Sequence, residues 1–352
     1  MISYLIGWLR TPSYHSTAHQ YQTKVSIVLP VRNEEKNIQN ILKCLSQQNY
    51  PKENHEIIVA DDFSSDKTVD LATKMNISNL RCIRLQSGGG KKKAITEAIA
   101  QASGTLIVTT DADCEMGESW LSEIVSFYEG QTPKMICGPV LMRGETNFQT
   151  IIQSQEMSVL AACGCASVYF NLPIFCSGAN LAYEKKIFLE VNGYGGYEKM
   201  ATGDDVFLML KIHKKFSHSI QYLKSRTACV YTSPEKSSRA AMKQRRRWLS
   251  KSFSYGFSYI TGIAILVFFT NFLILLSGIL SVINIKFALA FVICFIAKYS
   301  VDFMLLFSIS AFFKKIYYPV LFFVSSLIYP IYAFFMGIVL PFTNYSWKGR
   351  RS

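Results

Sequence analysis

The chain has 352 residues, 50% of them hydrophobic and only 17% charged, where a soluble domain carries about 25% charged residues. Such a composition excludes a disordered chain, the length excludes a small disulfide scaffold, and the two together point to a membrane. Lys and Arg number 37 against 24 Asp and Glu, a net charge of +13, which leaves nucleic acid, an anionic membrane face or a phosphorylated substrate as the balancing partner.

Residues 1–23 open on a short apolar stretch, Met1 to Arg10 with Trp8, that lacks a secretory cleavage pattern. The expectation is a segment lying on a membrane surface, or the stub of a longer amino terminus. Next comes Val25-Ser-Ile-Val-Leu-Pro30, a buried-strand pattern. Asn33-Glu-Glu-Lys-Asn then leads into a helix with apolar spacing at Ile38, Ile41, Leu42 and Leu45. A second strand, Glu56-Ile-Ile-Val-Ala60, runs into Asp61-Asp-Phe-Ser-Ser-Asp-Lys-Thr68, with a helix expected from about Val69 to Met75. Polar side chains thus gather at a strand's carboxyl end, where open α/β sheets bind ligands. A helix cap accounts for one of the Asp and Ser residues here, not for all five.

Ser87-Gly-Gly-Gly-Lys-Lys-Lys93 precedes a helix expected over about Ala94 to Ala102. Glycine-rich backbone at a helix start, with lysines, suits a phosphate, although the P-loop spacing is absent and a flexible basic loop is the other reading. The sharpest local signal is Gly104-Thr-Leu-Ile-Val-Thr-Thr-Asp-Ala-Asp113, a β-branched strand ending in two aspartates one residue apart. Alternate strand residues face the same side, so both carboxylates reach one hard divalent cation, Mg²⁺ or Mn²⁺, carrying a diphosphate. Phe175-Cys-Ser-Gly-Ala-Asn-Leu-Ala-Tyr183 reads as a small-residue turn followed by a helix start. Gly203-Asp-Asp205 opens an amphipathic helix and supplies the base that group transfer to a hydroxyl needs. The small residues Ala161 to Ser167 suit close helix packing more than an acceptor groove. Gln244-Arg-Arg-Arg-Trp248 joins cationic donors to an indole, suited to a diphosphate and a stacked sugar, or to a membrane-surface anchor.

Residues 252–285 and 316–347 contain no charged side chain, and each exceeds the roughly 20 apolar residues that cross a bilayer. Between them an apolar segment carries Lys298 and Asp302, spaced to pair on one helix face. Lys236, Arg239, Lys243, Arg245, Arg246, Arg247 and Lys251 precede the first span, so the positive-inside rule places the soluble part in the cytoplasm. Three crossings put the basic tail of Lys348, Arg350 and Arg351 outside, whereas two crossings with a re-entrant segment keep it inside, the arrangement this reading favours. The nine cysteines form no framework and the five histidines no zinc pattern.

Taken in order, these motifs resemble the membrane-associated family 2 glycosyltransferases, inverting enzymes with a GT-A nucleotide-sugar-binding domain, over about residues 24–258. The resemblance implies an α/β fold: a Rossmann-like mixed sheet flanked by helices, followed by transmembrane helices. It assigns Pro30, Asn33 and Glu34 to the opening nucleotide loop, Asp62 to the uracil, and Lys91 to the phosphate-proximal turn. Asp111-Ala-Asp113 matches the D-x-D motif, with Asp113 as metal ligand to Mg²⁺ or Mn²⁺ and Asp111 nearer the ribose and diphosphate. Ser177, Gly178 and Asn180 fall in the acceptor pocket, Asp204 and Asp205 at the acidic pair with Asp205 the base, and Gln244, Arg247 and Trp248 at Q-x-x-R-W, where Trp248 also serves the acceptor. The pair is Asp-Asp where relatives carry Glu-Asp.

The organisation expected is an interfacial segment at 1–23, the GT-A catalytic domain at 24–235, a basic amphipathic segment at 236–258, two or three transmembrane helices at 259–341 and a basic tail at 342–352. The partners implied are a nucleotide-sugar donor, UDP-linked, a lipid or glycan acceptor, and membrane lipids of the cytoplasmic (inner) membrane. No nucleic acid is expected, because the basic run abuts a span. A processive polysaccharide synthase and a membrane-bound nucleotidyltransferase are the alternatives.

Overall fold

The computed structural model describes residues 1–16, 21–86, 89–197, 203–250, 259–315, 318–339, 346–347 and 350–351. Helix α1 (Ile2–Arg10) precedes strand β1 (Val25–Val31), helix α2 (Ile38–Ser46), strand β2 (His55–Asp61), helix α3 (Thr68–Thr73) and strand β3 (Leu80–Arg84). Helix α4 (Lys91–Gln101), strands β4 (Leu106–Thr109) and β5 (Cys114–Met116), helix α5 (Trp120–Gln131), strands β6 (Met135–Cys137) and β7 (Val140–Met142) and helix α6 (Phe148–Tyr169) follow. The catalytic half closes with β8 (Leu181–Glu184), α7 (Lys185–Glu190), α8 (Asp204–Lys215), β9 (Ile220–Tyr222) and β10 (Val230–Thr232).

The main sheet has seven strands in the order β3-β2-β1-β4-β8-β6-β9. Strands β1 to β4 are mutually parallel, and β8 runs antiparallel between β4 and β6. β1 lies inside the sheet between β2 and β4, and Ile27, Val28 and Leu29 are all fully buried, as an uninterrupted apolar run must be when helices cover both faces. Against it α2 turns the stripe Ile38, Ile41, Leu42 and Leu45 inward, the spacing of one helix face. A smaller sheet, β5-β10-β7, sits beside the main one.

Two expectations change. After Ser177 the chain makes one 3-10 turn, Gly178–Asn180, and enters strand β8 rather than a helix. Leu181, Ala182, Tyr183 and Glu184 all go into the sheet interior, so pairing on both sides outweighs the helix-like composition. The other concerns boundaries. The chain forms two compact units, one of residues 7–143 and 163–233, the other of 1–6, 144–162 and 234–352. Segment 7–23 therefore belongs with the catalytic unit. There the backbone N–H of Tyr14 donates to Lys224 O at 2.9 Å, its hydroxyl lies 2.8 Å from Ser126 Oγ, and the backbone N–H groups of Gln22 and Thr23 donate to Glu129. The first two thirds of α6 instead group with the apolar helices.

The small-residue run of α6 serves packing. A side chain added at Gly7 would come within 2.7 Å of Ala166 Cβ, and one at Gly164 within 3.0 Å of Phe175 O, so only glycine permits these approaches.

The second unit contains α9 (Ser238–Ser250), α10 (Tyr259–Leu280), α11 (Ile285–Phe312), α12 (Pro319–Val339) and the two-stranded pair β11 (Ser346–Trp347) and β12 (Arg350–Arg351). Three helices are long and apolar enough to cross a membrane. The middle segment, which carries Lys298 and Asp302, is one 28-residue helix. Its Lys298 and Asp302 pair as expected, at 2.5 Å, with Lys298 Nζ 5.1 Å from the Tyr329 ring centroid. Gly337 lets α12 close on Phe268 of α10, the small-residue packing that apolar helices use where no hydrophobic force separates protein from lipid.

Candidate active site

The loops after β1 and β2 are tied together by side chain to backbone bonds. Asn33 adopts a left-handed conformation, φ 53°; its backbone N–H donates to Ser64 Oγ and its Oδ1 accepts from Ser65 N, both at 2.9 Å. The Glu34 N–H donates to Thr68 Oγ1 at 2.7 Å, and Asp61 Oδ1 accepts from Ser64 N. The polar cluster at 61–68 is thus partly spent on building the loop, and Pro30 lies within β1 opposite Ala60, one residue before the strand ends. Asp62, 2% exposed, accepts the Gly90 N–H at 2.8 Å, which fixes the start of α4 against the second loop. Arg32, which sequence reasoning passed over, donates to Asp62 O at 3.2 Å and lies 3.6 Å from Asp62 Oδ2. Its only signal in the sequence is a guanidinium directly after an apolar strand.

Helix α4 begins at Lys91, three residues earlier than expected, because Gly90 at φ 123° turns the chain sharply. The turn aims Lys91 Nζ at Asp111 Oδ1, 2.6 Å away, and within 3.8 Å of Asp204 Oδ2. Burial would depress this ammonium, but Asp111, Asp204 and Asp205 outweigh burial and hold it above the ordinary lysine range. Asp204 and Asp205 form the first turn of α8, after Gly203 in a left-handed conformation, where the helix dipole favours carboxylates. Asp205 Oδ2 accepts the Gly178 N–H at 3.2 Å, and its Oδ1 the Val206 N–H at 2.8 Å. Motifs far apart in sequence therefore meet around one lysine.

Asp113 stands at the solvent side of this group. Crowding by protein raises its carboxyl above the ordinary aspartate range, and since the side chain reaches water, the like charges of Asp111 and Glu34 carry much of that rise. Such like-charge stress is what a divalent cation relieves. Magnesium is commonly held by one or two carboxylates with substrate phosphates completing its shell, so Asp113 with Asp111 fits Mg²⁺ or Mn²⁺. Among the described residues no set of three or more His, Cys, Asp or Glu forms a protein-only cage.

Ser177 caps the 3-10 turn by accepting from Ala179 N, and Gly178 lies beside Lys91 and Asp205, where an added side chain would meet Lys91 Nζ at 3.6 Å. Asn180 corrects the expectation of an acceptor contact. It is 1% exposed, its amide donates to Pro139 O and Ala228 O, and its Oδ1 accepts from Trp120 Nε1 at 3.0 Å. Every polar atom is engaged in pinning the turn to α5 and the small sheet. Gln244, Arg247 and Trp248 belong to the other unit; all three are half-buried on α9, whose Arg245 pairs with Glu156.

The model of the family "Glycosyl transferase family 2" matches residues 26–204, just over half of the chain. Among curated proteins, glycosyltransferase AglE of Haloferax volcanii is 33% identical over 118 residues, 33% of this chain and 39% of that protein. The beta-monoglucosyldiacylglycerol synthase of Synechocystis sp. is 25% identical over 201 residues, 54% of this chain and 40% of the relative. The chain thus spans about two fifths of the length of each. Among solved structures, the mannosyltransferase PcManGT from Pyrobaculum calidifontis, in complex with GDP-Man and Mn²⁺, superposes with a TM-score of 0.60 at 16% identity, covering 97% of this chain and 92% of that one. That likeness establishes the GT-A-like fold: a mixed sheet flanked by helices, here followed by three long apolar helices. With the motifs in their expected order and the carboxylates converging on Lys91, the chain belongs to glycosyl transferase family 2.

Proposed function

We propose that this protein is an inverting glycosyltransferase that moves a sugar from a UDP-linked donor to a hydroxyl of a lipid or glycan acceptor at the cytoplasmic face of the membrane. The observation that carries the reading is the meeting of Lys91, Asp111, Asp204 and Asp205 beside the Gly178 backbone. One side of this group offers the Lys91 ammonium for a diphosphate. The other offers a carboxylate for a proton.

In the reaction, Asp205 takes the proton of the acceptor hydroxyl as the oxygen attacks the anomeric carbon from the face opposite the leaving group, so configuration inverts. Lys91, its charge held by three carboxylates, stabilises the negative charge that builds on the departing nucleoside diphosphate. Asp113 and Asp111 would hold a divalent ion, Mg²⁺ or Mn²⁺, which would supply further neutralisation of that diphosphate. Asp62 and Arg32 hold the nucleoside loops in register, and Asp62 is the residue assigned to the base. The resemblance to the Q-x-x-R-W motif assigns Gln244, Arg247 and Trp248 of α9 to the diphosphate and Trp248 also to the acceptor.

The lipid-acceptor branch draws support from the lipid named for the Synechocystis relative, and from the three helices that keep the chain at a bilayer. The test is transfer from radiolabelled nucleotide sugars in membranes containing the protein, with the anomeric configuration of the product read by NMR. Retention of configuration, or release of pyrophosphate with a nucleotide joined to the acceptor, overturns the proposal. A second reading, processive polymer synthesis, is favoured by Gln244, Arg247 and Trp248 falling on one face of α9; products of increasing length from one donor would establish it.

A further inference from the structure

The end of helix α1, from Gly7 onward, is held to the catalytic unit through Gly7 and Trp8. Gly7 crosses Ala166 at backbone distance, and Trp8 is 1% exposed beneath Lys224, whose Nζ lies 4.1 Å from the indole centroid. The same ammonium donates to Trp8 O at 2.6 Å and Thr11 O at 2.9 Å, capping the end of the helix. A buried lysine that satisfies carbonyls at a helix end fixes the helix in place, so its other face is presented by design of the packing.

That other face is apolar. Leu9 is 61% exposed, and the helical spacing continues its row to Ile6 and Ile2. One turn beyond the crossing, α6 ends in a second exposed apolar group, Tyr169, Phe170 and Leu172, at 43–48% exposure. This turn is rigid: Asn171, at φ 55°, accepts the His218 N–H and donates to Ser217 Oγ. Residues 217–218 follow the last turn of α8, which is His213, Lys214 and Lys215. Exposed aliphatic and aromatic side chains are therefore bordered by the exposed Arg10 and by Lys214 in the last turn of α8, where Lys215 is paired with Glu190 at 2.9 Å.

We infer that this surface is a second membrane contact: α1 lies in the headgroup layer of an anionic bilayer, with Leu9 and Phe170 entering its apolar edge. The occupant is a lipid surface because the rim is cationic and the centre mixes aliphatic with aromatic groups, the pattern of interfacial helices. The same chain carries three helices long and apolar enough to cross a bilayer, so a lipid surface is tethered to it by the chain itself. The contact is independent of the donor and acceptor reading, since none of its residues is assigned to the transfer site.

The test uses the full chain in vesicles containing phosphatidylglycerol, with Cys294, Cys44 and Cys82 replaced by serine. A nitroxide is placed at Leu9→Cys or Phe170→Cys, with Glu118→Cys as an exposed control. The expected result is a ratio of oxygen to water-soluble nickel-chelate collision at positions 9 and 170 at least five-fold above position 118. That ratio should fall when Arg10 and Lys214 are both replaced by Glu. Ready collision with the nickel chelate at positions 9 and 170 overturns the proposal by showing them in water. Shielding from both reagents overturns it in favour of a protein partner, such as a second copy. Because Leu9 and Phe170 are surface residues, unchanged thermal unfolding of the labelled variants separates either outcome from misfolding.

Discussion

Replacing Lys91 with Met removes the one ammonium that faces Asp111 at 2.6 Å and Asp204 at 3.8 Å, while keeping the aliphatic stem. At an effective dielectric of about 20 the two attractions are roughly 6 and 4 kcal/mol gross, most of it offset by the desolvation of the three groups. What the substitution exposes is the remainder, two partly buried carboxylates without their counter-charge. Breaking such a pair from one side costs about 3 kcal/mol. For a unit of about 200 residues that is a fall in melting temperature of roughly 6–12 °C. The assay is thermal unfolding of the purified full-length protein in detergent, with and without millimolar Mn²⁺. The variant should regain more of its loss on adding Mn²⁺ than the parent gains, because a divalent ion replaces the missing positive charge. Transfer should remain reduced by about 10²-fold or more at saturating metal, since the ion cannot supply the lysine's contact to the leaving group. A variant that melts within 1 °C of the parent without metal, or that gains no more from Mn²⁺ than the parent does, would refute the view that Lys91 is the electrostatic centre of the site.

Asp205→Asn should keep donor binding, measured by calorimetry, while losing transfer by about 10²- to 10⁴-fold; near-normal turnover sinks the base assignment. Asp113→Asn should abolish Mn²⁺ binding, followed by the loss of free Mn²⁺ signal in electron paramagnetic resonance titrations, yet leave the protein as stable or slightly more so. The sign follows from the raised carboxyl: folding favours its protonated form, so its contribution is favourable at low pH and is lost as pH rises from the ordinary aspartate range through the raised value. Solvent screening keeps the gain below about 1 kcal/mol. In the parent, Mn²⁺ affinity should begin to fall at a higher pH than an ordinary aspartate dictates. Asn180→Ala should act on stability first, by about 3 kcal/mol, because Trp120 Nε1 and the Pro139 and Ala228 carbonyls lose their partner. Transfer per folded molecule that is unchanged in this variant would support a structural role, whereas a selective loss of acceptor affinity would restore the acceptor contact.

Local features of this protein are written in short stretches of its sequence. The buried run of β1, the inward stripe of α2 and the Lys298–Asp302 pair each depend on spacing within one element, where periodicity alone dictates which side chains share a face; Asp111 and Asp113, by contrast, lie in the turn after β4, beyond the strand whose alternation would align them. Charge-free stretches long enough for a bilayer need no partner to be recognised.

What the sequence could not determine is which elements meet. Asp204 reaches Lys91 because the antiparallel β8 inserts beside β4 and brings the Gly178 turn with it, a pairing no local pattern encodes. The same insertion turned an expected helix start into a strand and carried Asn180 into the core. Helix α1, on sequence grounds a separate segment, joins the catalytic unit through Lys224, more than two hundred residues away, because a buried ammonium must find carbonyl partners wherever the fold supplies them. Spacing thus determined the elements and the order of the acidic motifs; long-range pairing, governed by sheet order and by satisfaction of buried polar groups, decided which carboxylates share a lysine and which face of α1 is left to solvent or lipid.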